Sequence, residues 1–205
     1  MLYSPKRKVV FDIDDVLWGL THRVVQQLSI KYQDWITFQV LQNERYSMET
    51  RIAINNAFRD PATFANMQFY TGVERIMDIE EYGAIVQIKS NSFSEAVAVS
   101  KRQQLLCAIP GLREEQLYLP IVDEHTTMQK RFDDDTFISI DDSPSNIAGS
   151  PACFNFMPYT PWNVTNEARM LVASKRVTRY PQEDLNGLID QIIQLLIAPH
   201  HYLTQ

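Results

Sequence analysis

The sequence predicts an α/β protein: a Rossmann-like parallel sheet flanked by helices, with a small helical cap inserted after the first strand. Three observations carry this. Runs of apolar, mostly β-branched residues recur at 9–13, 84–88 and 136–140, the pattern of strands buried on both faces. Stretches with helical spacing lie between them, which demands right-handed crossovers in a parallel sheet. The interval between the first two runs is too long for one crossover helix, so an insertion must begin after the first strand.

In order, 9–13 is the first strand and 17–36 has helical spacing. Residues 37–70 are rich in aromatics and predict two or three short helices, broken at Asp60-Pro61. Tyr70-Thr71-Gly72 is a turn, and 73–81 is an acidic amphipathic helix. The second strand, 84–88, runs into Lys89-Ser90-Asn91-Ser92; the helix 94–108 stops at Pro110-Gly111. Strands follow at 116–119, 136–140 and 152–156, with a turn or short helix at 125–131. Ser143-Pro144 opens a short helix with a capping hydroxyl and a proline in its first turn. Helices at 165–173 and 184–197 close the chain. The domains expected are a core of 1–16 with 72–205 and a cap of 17–71.

Two strands end in acids. The first stops at Asp12, with Asp14 two positions on; the fourth stops at Asp141-Asp142. Ligands of open parallel sheets bind at the carboxyl ends of the strands. Carboxylates gathered there repel one another unless a divalent cation joins them. Hard oxygen donors suit Mg²⁺, with Asp12, Asp14 (through its backbone carbonyl), Asp141 and Asp142 as candidate ligands and the last two undecided between them. Asp12 can attack phosphorus, and Asp14 can protonate the leaving alcohol and then activate water. Phosphoryl oxygens need donors, for which Ser90, the backbone beside it at Asn91, and Lys130 are placed. An EF-hand does not fit: Val16 and Trp18 fall on ligand positions and Arg23 stands where a bidentate Glu belongs.

Composition narrows the class. The chain has 205 residues, 45% apolar and 21% charged, ordinary for a globular protein with one core and an insertion. The net charge of −6 argues against a stable nucleic-acid partner. Cys107 and Cys153 form no CxxC and read as free thiols of a reducing compartment. No signal peptide or membrane span is expected, and the expected location is cytoplasmic. Oligomerisation stays open. His22, His125, His200 and His201 add no chemistry of their own.

The motifs resemble those of the haloacid dehalogenase superfamily of phosphatases. They are Phe11-Asp12-Ile13-Asp14-Asp15-Val16-Leu17, then Ile85-Val86-Gln87-Ile88-Lys89-Ser90, then Lys130, then Ile140-Asp141-Asp142-Ser143-Pro144-Ser145-Asn146-Ile147. More narrowly the chain is similar to the 5'(3')-deoxyribonucleotidases, through Phe69-Tyr70-Thr71-Gly72-Val73, the Lys130 to Asp141 spacing, Phe154-Asn155-Phe156 to Trp162-Asn163, and Val177-Thr178-Arg179-Tyr180. It departs from that family at Asp15, where a Gly is usual, and at Lys89-Ser90-Asn91-Ser92, where a Thr-Ser-Pro type of sequence is usual. The resemblance implies a Mg²⁺-dependent phosphomonoesterase working through an aspartyl-phosphate on (deoxy)nucleoside monophosphates. Trp18, Phe38 and Tyr46, with Leu20 and Phe69, are the candidate faces for a base, Trp18 foremost. The alternatives are a phosphatase for another small ester, such as a sugar phosphate, and a catalytically silent member that binds a nucleotide or protein.

Overall fold

A computed structural model describes residues 7–29, 47–122, 132–164, 169–170, 173 and 177–198. Six strands form one wholly parallel sheet: β1 (Arg7–Phe11), β2 (Ala84–Lys89), β3 (Leu117–Tyr118), β4 (Thr136–Ile140), β5 (Phe154–Tyr159) and β6 (Val177–Pro181). Their order is β3-β2-β1-β4-β5-β6. Val9, Val10 and Phe11 are fully buried, because β1 lies mid-sheet between β2 and β4 and both of its faces are covered.

The described helices are α1 (Leu20–Gln27), α2 (Met48–Arg59), α3 (Pro61–Phe64), α4 (Glu95–Ala108), α5 (Pro144–Gly149) and α6 (Leu185–Ile197). The break at Asp60-Pro61 falls as expected: Asp60 ends α2, and its carboxylate accepts from Ala62 N at 2.9 Å to cap α3. Helix α6 buries Leu188, Ile189, Ile192 and Leu196 and packs against a 3₁₀ helix, Val73–Tyr82.

Four elements differ from the sequence reading, each for a local reason. The 73–81 helix is 3₁₀ throughout, held between Gly72 and Gly83, both left-handed. Helix α1 starts only at Leu20, because residues 13–18 turn on themselves: Leu17 N donates to Ile13 O at 2.8 Å and Asp15 N to Trp18 O at 2.8 Å. The fifth strand runs to Tyr159, since β6 pairs along it. Strand β6 itself escapes a pattern search because it is an edge with only Tyr180 buried. The expected helix at 165–173 falls largely outside the described residues.

Gly72 is needed where it stands. Its φ is +100°, and a Cβ there would lie 2.7 Å from Asn186 N. Gly72→Ala should therefore destabilise the fold by about 2 kcal/mol or more, read as a lower urea midpoint at unchanged slope. An unchanged midpoint would contradict the packing of α6 on this turn.

Candidate active site

The strand order reverses between β1 and β4, and ligands of such sheets bind outside the strand ends at that point. Asp12 follows β1 there and Asp141 follows β4. Both continue the ladder, with Asp12 N donating to Ile140 O at 2.9 Å and Asp141 N to Phe156 O at 3.2 Å. Carboxylate oxygens of Asp12, Asp141 and Asp142 all lie within 4.8 Å of one another. Asp12 and Asp141 are buried. Three carboxylates this close, on two buried residues and the half-buried Asp142, repel one another in the absence of a cation, and an all-oxygen donor set fits Mg²⁺. Asp141 is aimed by Ser143 N at 2.9 Å and by Asn146 Nδ2, which reaches both its oxygens. Asp142 is held from behind: Asn163 Nδ2 donates to its carbonyl at 2.9 Å, and Arg179 Nη1 donates to the Asn163 carbonyl at 3.1 Å.

The Asp14 carboxylate is not part of that trio. It receives three donors of its own: Trp18 Nε1 at 2.9 Å, Ser90 Oγ at 2.9 Å, and Lys101 Nζ. Ser90 is set just past the end of β2, where its N–H donates to Tyr118 O. Lys101 is 1% exposed, and its ammonium also donates to Ser90 Oγ and to Asn91 O, each at 3.0 Å, while lying over the Phe64 ring. Asp14, Ser90 and Lys101 are thus one hydrogen-bonded unit, separate from the three-carboxylate cluster.

Lys101 is the residue that motif reading missed. The available signal was its place on the buried stripe of α4, with Val97, Ala98 and Leu105. A lysine on the apolar face of a helix has to find an acid. Lys89, at the end of β2, is buried too, but it pairs with Asp133 at 3.0 Å. Lys130, Phe38 and Tyr46 lie outside the described residues.

Trp18 is a correction. The expectation was a ring facing the cleft. It is instead fully buried, packed on Phe69 at 5.1 Å between ring centres, with its N–H spent on Asp14. Four residues after Asp14, it stands at the end of the tight 13–18 turn, which folds it inward. It orients the acid and offers no open stacking face.

A cavity of about 160 Å³ adjoins the Asp14 unit, walled by Leu20, Phe58, Phe64 and Phe93 and by the polar groups of Asp15, Lys101 and Asp142. Asp15 explains its own departure from the Gly of the related motif. Its φ is +61°, the left-handed region that Gly favours and Asp tolerates. Its carboxylate is turned onto Thr21, accepting from the backbone N–H at 3.0 Å and from the hydroxyl at 2.5 Å. Burial first, and then the charges of Asp14 and Asp12, push its carboxyl up to about 7 against the opposing Thr21 bonds. A wider groove of about 520 Å³ beside α1, lined by His22, Arg23, Gln26, Tyr70 and Gln182, includes none of these acids.

No family model matches the sequence, and no curated protein matches it. Solved structures do. A protein described as a beta-phosphoglucomutase from Bacteroides vulgatus is 13% identical, with a TM-score of 0.58 over 93% of this chain and 90% of that one. A phosphoserine phosphatase, solved as an analogue of its phospho-aspartyl intermediate, is 12% identical, with a TM-score of 0.55 over 92% and 99%. A haloacid dehalogenase-like hydrolase from Xanthomonas campestris is 13% identical, with a TM-score of 0.52 over 93% and 97%. The fold is the haloacid dehalogenase-like α/β fold.

Proposed function

We propose that the protein is a Mg²⁺-dependent phosphomonoesterase that works through an aspartyl-phosphate on Asp12. One observation carries this most: a three-carboxylate cation site stands beside a separate acid, Asp14, already bonded to a lysine and a serine. Neighbours of the same fold include a phosphoserine phosphatase caught as a phospho-aspartyl analogue, which agrees with that chemistry.

Asp12, Asp141 and Asp142 would hold the Mg²⁺, with the Asp14 carbonyl as a further candidate ligand. When bound, the ion neutralises charge on the phosphoryl oxygens and keeps Asp12 ionised. An Asp12 oxygen attacks phosphorus, the ester P–O bond breaks, and Asp14 gives its proton to the departing alkoxide. Water then attacks the same phosphorus, loses a proton to Asp14, and the Asp12–phosphorus bond breaks to release phosphate. Ser90, Lys101, the backbone at Asn91 and Lys130 are the donors for the phosphoryl oxygens. The cap expected from the sequence at 17–71 would cover the reaction and select the leaving group.

For the leaving group, a (deoxy)nucleoside is the first reading, supported by the motif resemblance and by the phenylalanine walls of the cavity. A compact polyol or sugar phosphate is the second. The small cavity and the Asp15 carboxyl in its wall favour it, since a carboxyl there matches hydroxyl donors better than a base. The silent-member alternative finds no support in motif one. The acid at Asp15 does not displace Asp14, because Thr21 takes it up.

A panel of 5'- and 3'-(deoxy)nucleoside monophosphates and sugar phosphates, assayed for phosphate release with Mg²⁺ and with chelator, tests this. Turnover should require Mg²⁺ and be lost with chelator. Turnover confined to sugar phosphates would replace the nucleotide reading. Folded protein with no turnover on any ester would overturn the enzyme.

A further inference from the structure

Asn163, in the loop after β5, is 1% exposed, and the chemistry above gives its side chain no role. Its whole amide is engaged. Nδ2 donates to the Asp142 carbonyl and to the Pro158 carbonyl, each at 2.9 Å. Oδ1 accepts from Thr160 N at 3.1 Å and from Arg179 Nη2. Arg179 Nη1 also donates to the Asn163 carbonyl at 3.1 Å. A buried polar network with every member satisfied holds one geometry.

The far end of this network is the acid pair after β4. Asp142 stands one residue past the bond from Asp141 N to Phe156 O that continues the ladder. Beyond it, the peptide joining Asp142 to Ser143 is gripped at both ends. Its carbonyl accepts from Asn163 Nδ2, and its N–H donates to Asp141 Oδ1 at 2.9 Å. A planar peptide cannot turn at one end without turning at the other. The bonds therefore run in series from the Arg179 guanidinium, through the Asn163 amide and this peptide, to the Asp141 carboxylate. Hydrogen bonds in such a chain polarise and strengthen one another.

We propose that Asn163, held by Arg179, is a positioning residue for the cation site: by fixing one peptide plane it aims the Asp141 and Asp142 carboxylates together. It acts on Asp142 through the carbonyl of that residue and on Asp141 through the N–H of Ser143. Partners standing behind metal-ligating carboxylates contribute about 10–100-fold to metal affinity. This inference rests on the cation site of the proposed function.

Calorimetric titration of Mg²⁺ into metal-free protein tests it on wild type, Asn163→Ala, Arg179→Met and the double variant. Gly72→Ala, which strains the turn against Asn186, is the comparison for lost stability alone. Wild type should bind Mg²⁺, and Asn163→Ala should bind about tenfold more weakly. Arg179→Met should also weaken binding, and adding it to Asn163→Ala should weaken it no further, because both act through one amide. Gly72→Ala should stay within about twofold of wild type. Affinity within about twofold of wild type for Asn163→Ala or, where that variant does not fold, for Arg179→Met would overturn the role of Asn163 while leaving the cation site standing. Gly72→Ala weakened as much as Asn163→Ala would also overturn it, since that marks lost stability and not lost aim. Losses that add in the double variant would overturn it as well, since the two residues would then act separately. Folded wild type that binds no Mg²⁺ would instead remove the cation site, and the proposed function with it.

Discussion

Asp12→Asn should reduce phosphate release from every substrate by at least about 10³-fold, with the fold intact. The substitution keeps shape, so the buried side chain and the Asp12 N to Ile140 O bond that seats it stay in place. On the proposed mechanism it removes the anionic oxygen that attacks phosphorus, and with it one charge of the three-carboxylate cluster. An amide oxygen cannot form the acyl-phosphate, and no neighbour can take over: Asp14 is tied to three donors and Asp141 to two. In chelator the variant should melt no lower than wild type, because one of three mutually repelling carboxylates is gone. Steady-state phosphate release and a melting curve on the same preparation check both parts. Retention of a tenth or more of wild-type turnover would remove Asp12 as the nucleophile.

The strands that place this site were legible because a parallel strand buried on both faces has to be apolar throughout. Val9 to Ile13 and Phe137 to Ile140 therefore announce both their burial and, where the run meets Asp12 and Asp141, their carboxyl ends. Ser90 was legible for the same reason at the end of β2. What stayed hidden was decided by tertiary contact. Strand β6 buries only Tyr180, so no period marks it. Trp18 looked like a cleft residue by its place just after motif one, but it ends the tight turn that contains the left-handed Asp15 and is buried in the core. Lys101 has no motif around it; only its position on the inward face of α4 betrays it, and only the fold shows that the acid it meets is Asp14, from a distant loop.

Lys101→Met should lower turnover by about 10²–10³-fold, the usual effect of removing one electrostatic donor from a reacting anion. Methionine matches the length of the stem and keeps contact with Phe64, so the change is chiefly the loss of the ammonium. Asp14 would keep Trp18 Nε1 and Ser90 Oγ. Breaking a fully buried pair costs about 3–5 kcal/mol, but the Asp14 side chain is 23% exposed and water takes up part of that loss, so about 1–3 kcal/mol of stability should go. The activity loss should thus exceed anything partial unfolding explains at 25 °C, and it should appear in kcat with folded protein confirmed by its melting curve. Lysine to arginine should not rescue: the guanidinium is larger than a site 1% exposed can admit. Lys130→Met supplies the comparison. If Lys101→Met turns over at the wild-type rate and Lys130→Met does not, the phosphate charge is carried from the 123–131 segment and Lys101 is only the tether that holds Asp14. If Lys101→Met alone fails, the charge has moved to α4, and a helix face rather than a loop motif supplies the cation that this chemistry requires.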